Sequence, residues 1–149
     1  MMTVTSDFDS AAVMRGFPPS RRQRVTLENW RTVPFSHWAF RNIRQLLPTA
    51  QVSRAVSAGD QLAARPTELG RIAFEGVDGQ ETCLDDFLQD SHTNGFAVLH
   101  DNALVFEHYA HGLTVDSAHI LFSITESVTA TLMGILTEQG VLDPDALVC

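Results

Sequence analysis

Apolar positions change their spacing along the chain, and each change marks an element. Residues 1–26 hold no sustained period. Asp, Ser and Gly mix there with Pro18-Pro19 and the basic cluster Arg21-Arg22-Gln23-Arg24, which predicts a flexible N-terminal arm. From Leu27 onward large apolar groups arrive (Leu27, Trp30, Trp38, Phe40, Leu46), and the spacing of Phe40, Ile43 and Leu47 predicts a helix within 37–47 that stops at Pro48. Residues 48–80, with Pro66 and four Gly, are expected to be mostly irregular. Between Thr82 and Gln89, Leu84, Phe87 and Leu88 fall at i, i+3 and i+4, and Asp85-Asp86 suit the positive end of a helix dipole, so a short helix is predicted. Asn94-Gly95 then reads as a turn.

Residues 95–109 predict a β-hairpin. Gly-Phe-Ala-Val-Leu-His leads into Asp101-Asn102, a pair that tolerates the positive φ angles of a type I′ turn, and Ala-Leu-Val-Phe-Glu-His-Tyr returns. A two-residue loop sets Leu99 opposite Leu104, Val98 opposite Val105 and Ala97 opposite Phe106, leaving both faces apolar. An isolated hairpin is marginal in water, so further strands or covering helices are expected. The last element runs from Ser123 to about Gln139. Ile124, Val128, Leu132, Ile135 and Leu136 make its apolar stripe, and Gly140 is a natural stop.

Composition narrows the class. With 149 residues, 44% hydrophobic and 19% charged, the chain has the make-up of one globular domain rather than a disordered segment. No apolar run approaches the ~18–20 residues that span a bilayer, and Met1–Ser10 is acidic without the pattern of a signal peptide. Cys83 and Cys149 make neither a disulfide framework nor a zinc spacing. A cytoplasmic chain without a membrane partner is expected.

Charge is divided unevenly. All ten basic residues are Arg, none beyond Arg71, so residues 1–71 carry net +5 and residues 72–149, with thirteen acids, carry −13. Such a segment repels nucleic acid, and the Arg cluster of the arm is too short and too poor in aromatics to bind it. The acidic half is expected to form a solvated surface, partly neutralised by the basic half.

Leu-Phe-Ser-Ile-Thr-Glu-Ser (121–127) follows the hairpin and opens an amphipathic helix that ends in Thr-Glu-Gln-Gly-Val-Leu-Asp-Pro (137–144). This resembles the first catalytic motif of the serine β-lactamases, penicillin-binding proteins and related esterases, which place Ser-x-x-Lys at a helix start. Within that group the chain is similar to the 6-aminohexanoate-dimer hydrolases. Trp30, Pro34, Trp38-Ala39-Phe40, Pro48, Val52-Ser53-Arg54 and Glu107-His108-Tyr109 also match that family's N-terminal region.

The resemblance implies a mixed α/β, β-lactamase-like fold. Residues 1–26 would be the arm, and residues 27–149 the N-terminal, truncated part of the hydrolase domain. It also implies hydrolysis of a small-molecule amide or ester through an acyl-enzyme, with no cofactor and with a homodimer as assembly. Ser123 would be the nucleophile, and its backbone amide one oxyanion donor. The family's Tyr motif and its late-strand motif are expected beyond residue 149, since Tyr109, the only Tyr, lies in the hairpin.

Position 126 departs from the pattern. Glu126 stands where the family has Lys, which puts negative charge beside a forming oxyanion and predicts an inactive site. Taken without the resemblance, Ser123-x-x-Glu126 is a capping box, with both side chains engaged by backbone amides. His100, His108, His111 and His119 lie at turns and strand ends with no Cys or carboxylate at a recognised spacing, so they are expected to be surface histidines and no metal site is predicted. The alternative function is a non-catalytic homologue or interaction module that keeps only the hairpin and the helix.

Overall fold

A computed structural model describes residues 9–50 and 62–146. Val52-Ser53-Arg54, Cys149 and the first eight residues of the arm lie outside the described residues. The chain divides into two compact units, Met1–Ala118 and His119–Cys149. In chain order the first holds α1 (Phe35–Ala39), β1 (Ala63–Ala64), β2 (Ala73–Glu75), β3 (Glu81–Cys83), α2 (Leu84–Asp90), β4 (Gly95–His100) and β5 (Ala103–Tyr109). The second holds α3 (Ile124–Glu138). The fold is mixed α/β, and among the described residues no helix is long and apolar enough to cross a membrane.

The β4–β5 hairpin forms where the sequence predicts it. Asp101 and Asn102 take φ of 49° and 56°, the positive pair of a type I′ turn. Its register differs from the expected one beyond Leu99↔Leu104. Val98 pairs with Phe106 rather than Val105, and Ala97 pairs with Glu107 rather than Phe106. The cause lies on the other side of β5, where β1 runs parallel to it and completes a sheet of order β1-β5-β4. The carbonyls of Leu104 and Val105 accept from the amides of Arg65 (2.9 Å) and Thr67 (2.8 Å). Successive carbonyls of a regular strand point to opposite sides, so serving β1 with both of them forces a β-bulge at Val105. The bulge also changes the faces. Phe96 and Phe106 share one face with ring centroids 6.3 Å apart. The other face, expected to be apolar throughout, carries Glu107 and Tyr109, joined by a 2.6 Å bond from the phenol to the carboxylate.

Residues 73–80, expected to be irregular, and Thr82-Cys83, expected to open the short helix, belong instead to a second sheet in which β2 and β3 pair antiparallel, and the helix starts at Leu84. Asp78-Gly79 closes this hairpin, with Gly79 at φ 75°, a conformation that favours glycine. On the neighbouring helix α2, Phe87 packs edge-on against Phe74 of β2 (5.6 Å) while Leu88 is 1% exposed. The chain reverses after α2 through His92 (φ 54°), where the Thr93 amide bonds back to the Leu88 carbonyl. The predicted turn at Asn94-Gly95 is not used. Gly95 begins β4, and a Cβ there would stand 2.7 Å from Leu113 Cδ2.

The predicted helix within 37–47 is divided into α1 and a 3-10 turn at Ile43–Gln45. A side chain marks the end of α1: Arg41 Nε donates to the His37 carbonyl (3.0 Å), the acceptor a continuing helix would give the Arg41 amide, and that amide bonds the Trp38 carbonyl instead. Residues 9–26 make two 3-10 turns, Ser10–Ala12 and Arg21–Gln23. They contribute Val13 and Val25 to a small core with Trp30 and Ala39.

His100 and Asp101, neighbours in the β4–β5 turn, stand 3.4 Å apart as an ion pair if the histidine is protonated. Arg24, Arg41 and Arg65 donate to backbone carbonyls.

Among the described residues Leu88 is the large side chain buried most completely, so Leu88→Ala is expected to cost about 2–5 kcal/mol. Urea denaturation followed by tryptophan fluorescence measures this. A change below about 1 kcal/mol would show that α2 is not anchored by this residue.

Candidate functional site

In the second unit, α3 begins where the motif predicts. Ser123 is its N-terminal cap residue and Gln139 its C-terminal one. The helix stops at Gly140 (φ 71°), whose amide bonds to the Thr137 carbonyl while that of Val141 reaches Leu136, the arrangement that lets a glycine end a helix. The predicted stripe is present on α3 and exposed, with Ile124 and Val128 61% and 62% accessible.

The capping box is not formed. Ser123 has helical φ and ψ (−65°, −9°) and its side chain makes no capping bond. A capping side chain acts from an extended backbone, whereas here the turn enters through backbone bonds alone: Ile124 to Leu121, Thr125 to Phe122 and Glu126 to Ser123. The preceding Phe122 has φ 47°, an outlier for a bulky aromatic side chain. Such backbone strain collects at functional positions. Both Ser123 and Glu126 are exposed. The Ser123 hydroxyl forms no hydrogen bond with the described residues, and Glu126 lies in the first turn of α3. The serine therefore presents a free hydroxyl at a helix N-terminus, where the dipole favours developing negative charge, and three residues on a carboxylate works against it.

A second group of side chains, in the first unit, was not foreseen. His37 on α1, His92 after α2 and His111 after β5 approach so that one ring nitrogen from each lies within 4.8 Å of the others. His111 is thus no isolated surface histidine, since its ring stacks on His37 with centroids 3.8 Å apart. His37 is buried, and its Nδ1 bonds Asn94 Oδ1 at 2.6 Å. An amide oxygen only accepts, so Nδ1 carries the proton and Nε2 keeps its lone pair. Burial above all pushes the His37 pKa below the usual imidazole value, and the neighbouring His111, His92 and Arg41 act in the same direction against the Asn94 bond. His111 is lowered likewise, by desolvation first and then by His92 and His108. His108 Nε2 is the one buried side-chain nitrogen or oxygen without a partner among the described residues. His37 and His111 border an open cleft of about 320 Å³ that Arg41 and Arg15 also line.

Sequence reasoning missed His37, His92 and Asn94 because their proximity depends on three separate returns of the chain. One sign was available. A residue directly after a helix, such as His92, and the residue before Gly112 in a tight turn are places where glycine or asparagine is usual.

No family model matches the chain. It is 30% identical over 128 residues to the 6-aminohexanoate-dimer hydrolase of Paenarthrobacter ureafaciens, an alignment covering 86% of this chain and 31% of that protein. A solved structure from Bacillus anthracis, provisionally given the same hydrolase name, superposes with a TM-score of 0.76 at 24% identity over 86% of this chain and 33% of that one. The chain thus shares their fold and spans about a third of their length.

Because the Ser123 side chain caps nothing, Ser123→Ala is expected to change stability by less than about 0.5 kcal/mol, against the roughly 1 kcal/mol lost with a working cap. Thermal denaturation followed at 222 nm checks this, and a loss of cap size would restore the capping role.

Proposed function

We propose that the chain carries the nucleophile segment of a hydrolase of the 6-aminohexanoate-dimer hydrolase kind, acting on small-molecule amides or esters, and that Glu126 leaves this segment catalytically silent. The observation that carries the proposal is the free Ser123 hydroxyl at the start of α3, directly after the strained Phe122. Similarity to a relative with that hydrolase name supports the same reading.

In the competent reaction Ser123 Oγ attacks the carbonyl carbon and its proton passes to a base. The tetrahedral oxyanion is held by amides at the helix N-terminus. The carbon–nitrogen or carbon–oxygen bond then breaks, the leaving group takes the proton, and water releases the acyl group from Oγ. A base at position 126 has to accept that proton without adding negative charge next to the oxyanion. Lys does so, leaving a cation that stabilises the anion. A carboxylate loses its charge only on accepting the proton, and before that it repels charge building on Oγ.

Labelling with a fluorophosphonate tests both halves of the proposal. The native chain is expected to remain unlabelled, and Glu126→Lys is expected to raise labelling on the order of 10²-fold, the scale of a positioned general base. The gain should vanish in the Ser123→Ala/Glu126→Lys double variant. Stoichiometric labelling of the native chain at Ser123 would overturn the silence. Labelling that survives loss of Ser123 would overturn the nucleophile assignment.

A further inference from the structure

We infer that His37, His92 and His111 form a binding site for a divalent transition-metal ion of the zinc, nickel or copper class, with Asn94 as the residue that orients His37. The site lies wholly within the first unit and is independent of the Ser123 reading.

Imidazole is the natural ligand for these ions, and three imidazoles that leave a fourth position open are a recurring zinc arrangement. Each ligand must present an unprotonated nitrogen. His37 meets that requirement through its surroundings, because Asn94 Oδ1 at 2.6 Å holds the proton on Nδ1 and leaves Nε2 as the ligating atom. Metal-bound histidines commonly make this kind of outer bond, which sets both tautomer and ring orientation. Here it is in place on the one buried member of the group. The other two are exposed, and neither ring forms a hydrogen bond with the described residues.

Reach is the next requirement. At bond lengths of about 2.0–2.1 Å, tetrahedral nitrogens stand roughly 3.3 Å apart, whereas one ring nitrogen of each histidine lies within 4.8 Å of the others. Closing that difference requires the rings to rotate. His111 must turn out of its stack on His37, where the planes are 11° apart, so that its lone pair converges with that of His37 instead of running beside it. Its exposed ring has room to do so.

Backbone conformation points the same way. His92 and His111 both hold positive φ, 54° and 53°. At His92 the chain leaves α2 through the position where glycine is usual, and at His111 it makes the first central residue of a turn closed by the Leu113 amide on the Ala110 carbonyl. Glycine would serve the backbone better in both places. Arg41 works against a cation by charge, but its guanidinium is committed to the carbonyls of His37, His111 and Gly112, which also fixes two of the ligand-bearing segments relative to each other.

The test uses the full chain stripped with chelator and titrated with Zn²⁺ by calorimetry, and with Co²⁺ by visible absorption, where a tetrahedral site gives an intense d–d band. One ion per chain is expected. His92→Gly and His111→Gly remove a ligand while relieving positive φ, so circular dichroism and the melting curve should remain native or improve while stoichiometric binding and the cobalt band disappear. Asn94→Ala should weaken binding about tenfold, with the ligands themselves intact. No stoichiometric binding by the native chain would overturn the site. So would one ion per chain retained in both glycine variants, which would assign binding to other residues.

Discussion

A polar clasp holds the first unit together, and most of its other features depend on it. α1 is five residues long, far below the length at which a helix persists alone in water. It is held from both ends of the β4–β5 hairpin instead. Arg41 donates to the carbonyls of His111 and Gly112 after β5, and His37 bonds Asn94 just before β4. The open ends of the two strands are tied to each other as well, since the Ala110 amide reaches the Asn94 carbonyl at 2.8 Å. A handful of charged and amide groups thus does what a larger apolar core would do in a thicker domain.

That economy has a chemical consequence. Where side chains such as Val13, Trp30, Ala39 and Leu88 supply a thin core, the polar groups that replace packing must be satisfied, and their mutual arrangement becomes specific. The His37–Asn94 bond is structural in origin, yet it also selects a tautomer. Arg41 is structural too, and by holding the 111–112 turn against α1 it brings a second imidazole onto the first. Fold and candidate chemistry share the same side chains in this corner. In the second unit the two are separate: α3 carries an apolar stripe and a free serine at its start, with nothing in the helix that requires that serine for stability.

The bulge at Val105 illustrates a different constraint. Pairing β5 with β4 alone would have given an ordinary two-residue hairpin with a fixed alternation of faces. The parallel strand β1 takes two successive carbonyls from β5, and the alternation breaks. Glu107 and Tyr109 are thereby brought to the face that begins with Leu99 and Leu104, while Phe96, Val98, Phe106 and His108 share the other. A residue far upstream, Thr67, decides which way a glutamate points.

Local features were legible in the sequence because they are decided within a few residues. The apolar stripe of α3, its end at Gly140, the short helix over 84–90 and the Asp101-Asn102 turn all rest on spacing and on φ preferences that the chain carries with it. The start of α3 at Ser123 was legible for the same reason. Tertiary structure decided what needs partners from elsewhere in the chain: the register shift imposed by β1, the early end of α1, the reversal at His92 in place of Asn94-Gly95, and the meeting of His37, His92 and His111. It also decided that Ser123 does not cap its helix, since its backbone enters α3 already helical. Hydrophobic period and turn chemistry are one-dimensional properties. Hydrogen-bond competition between strands and the convergence of loops are not, and they become readable only when the chain is folded.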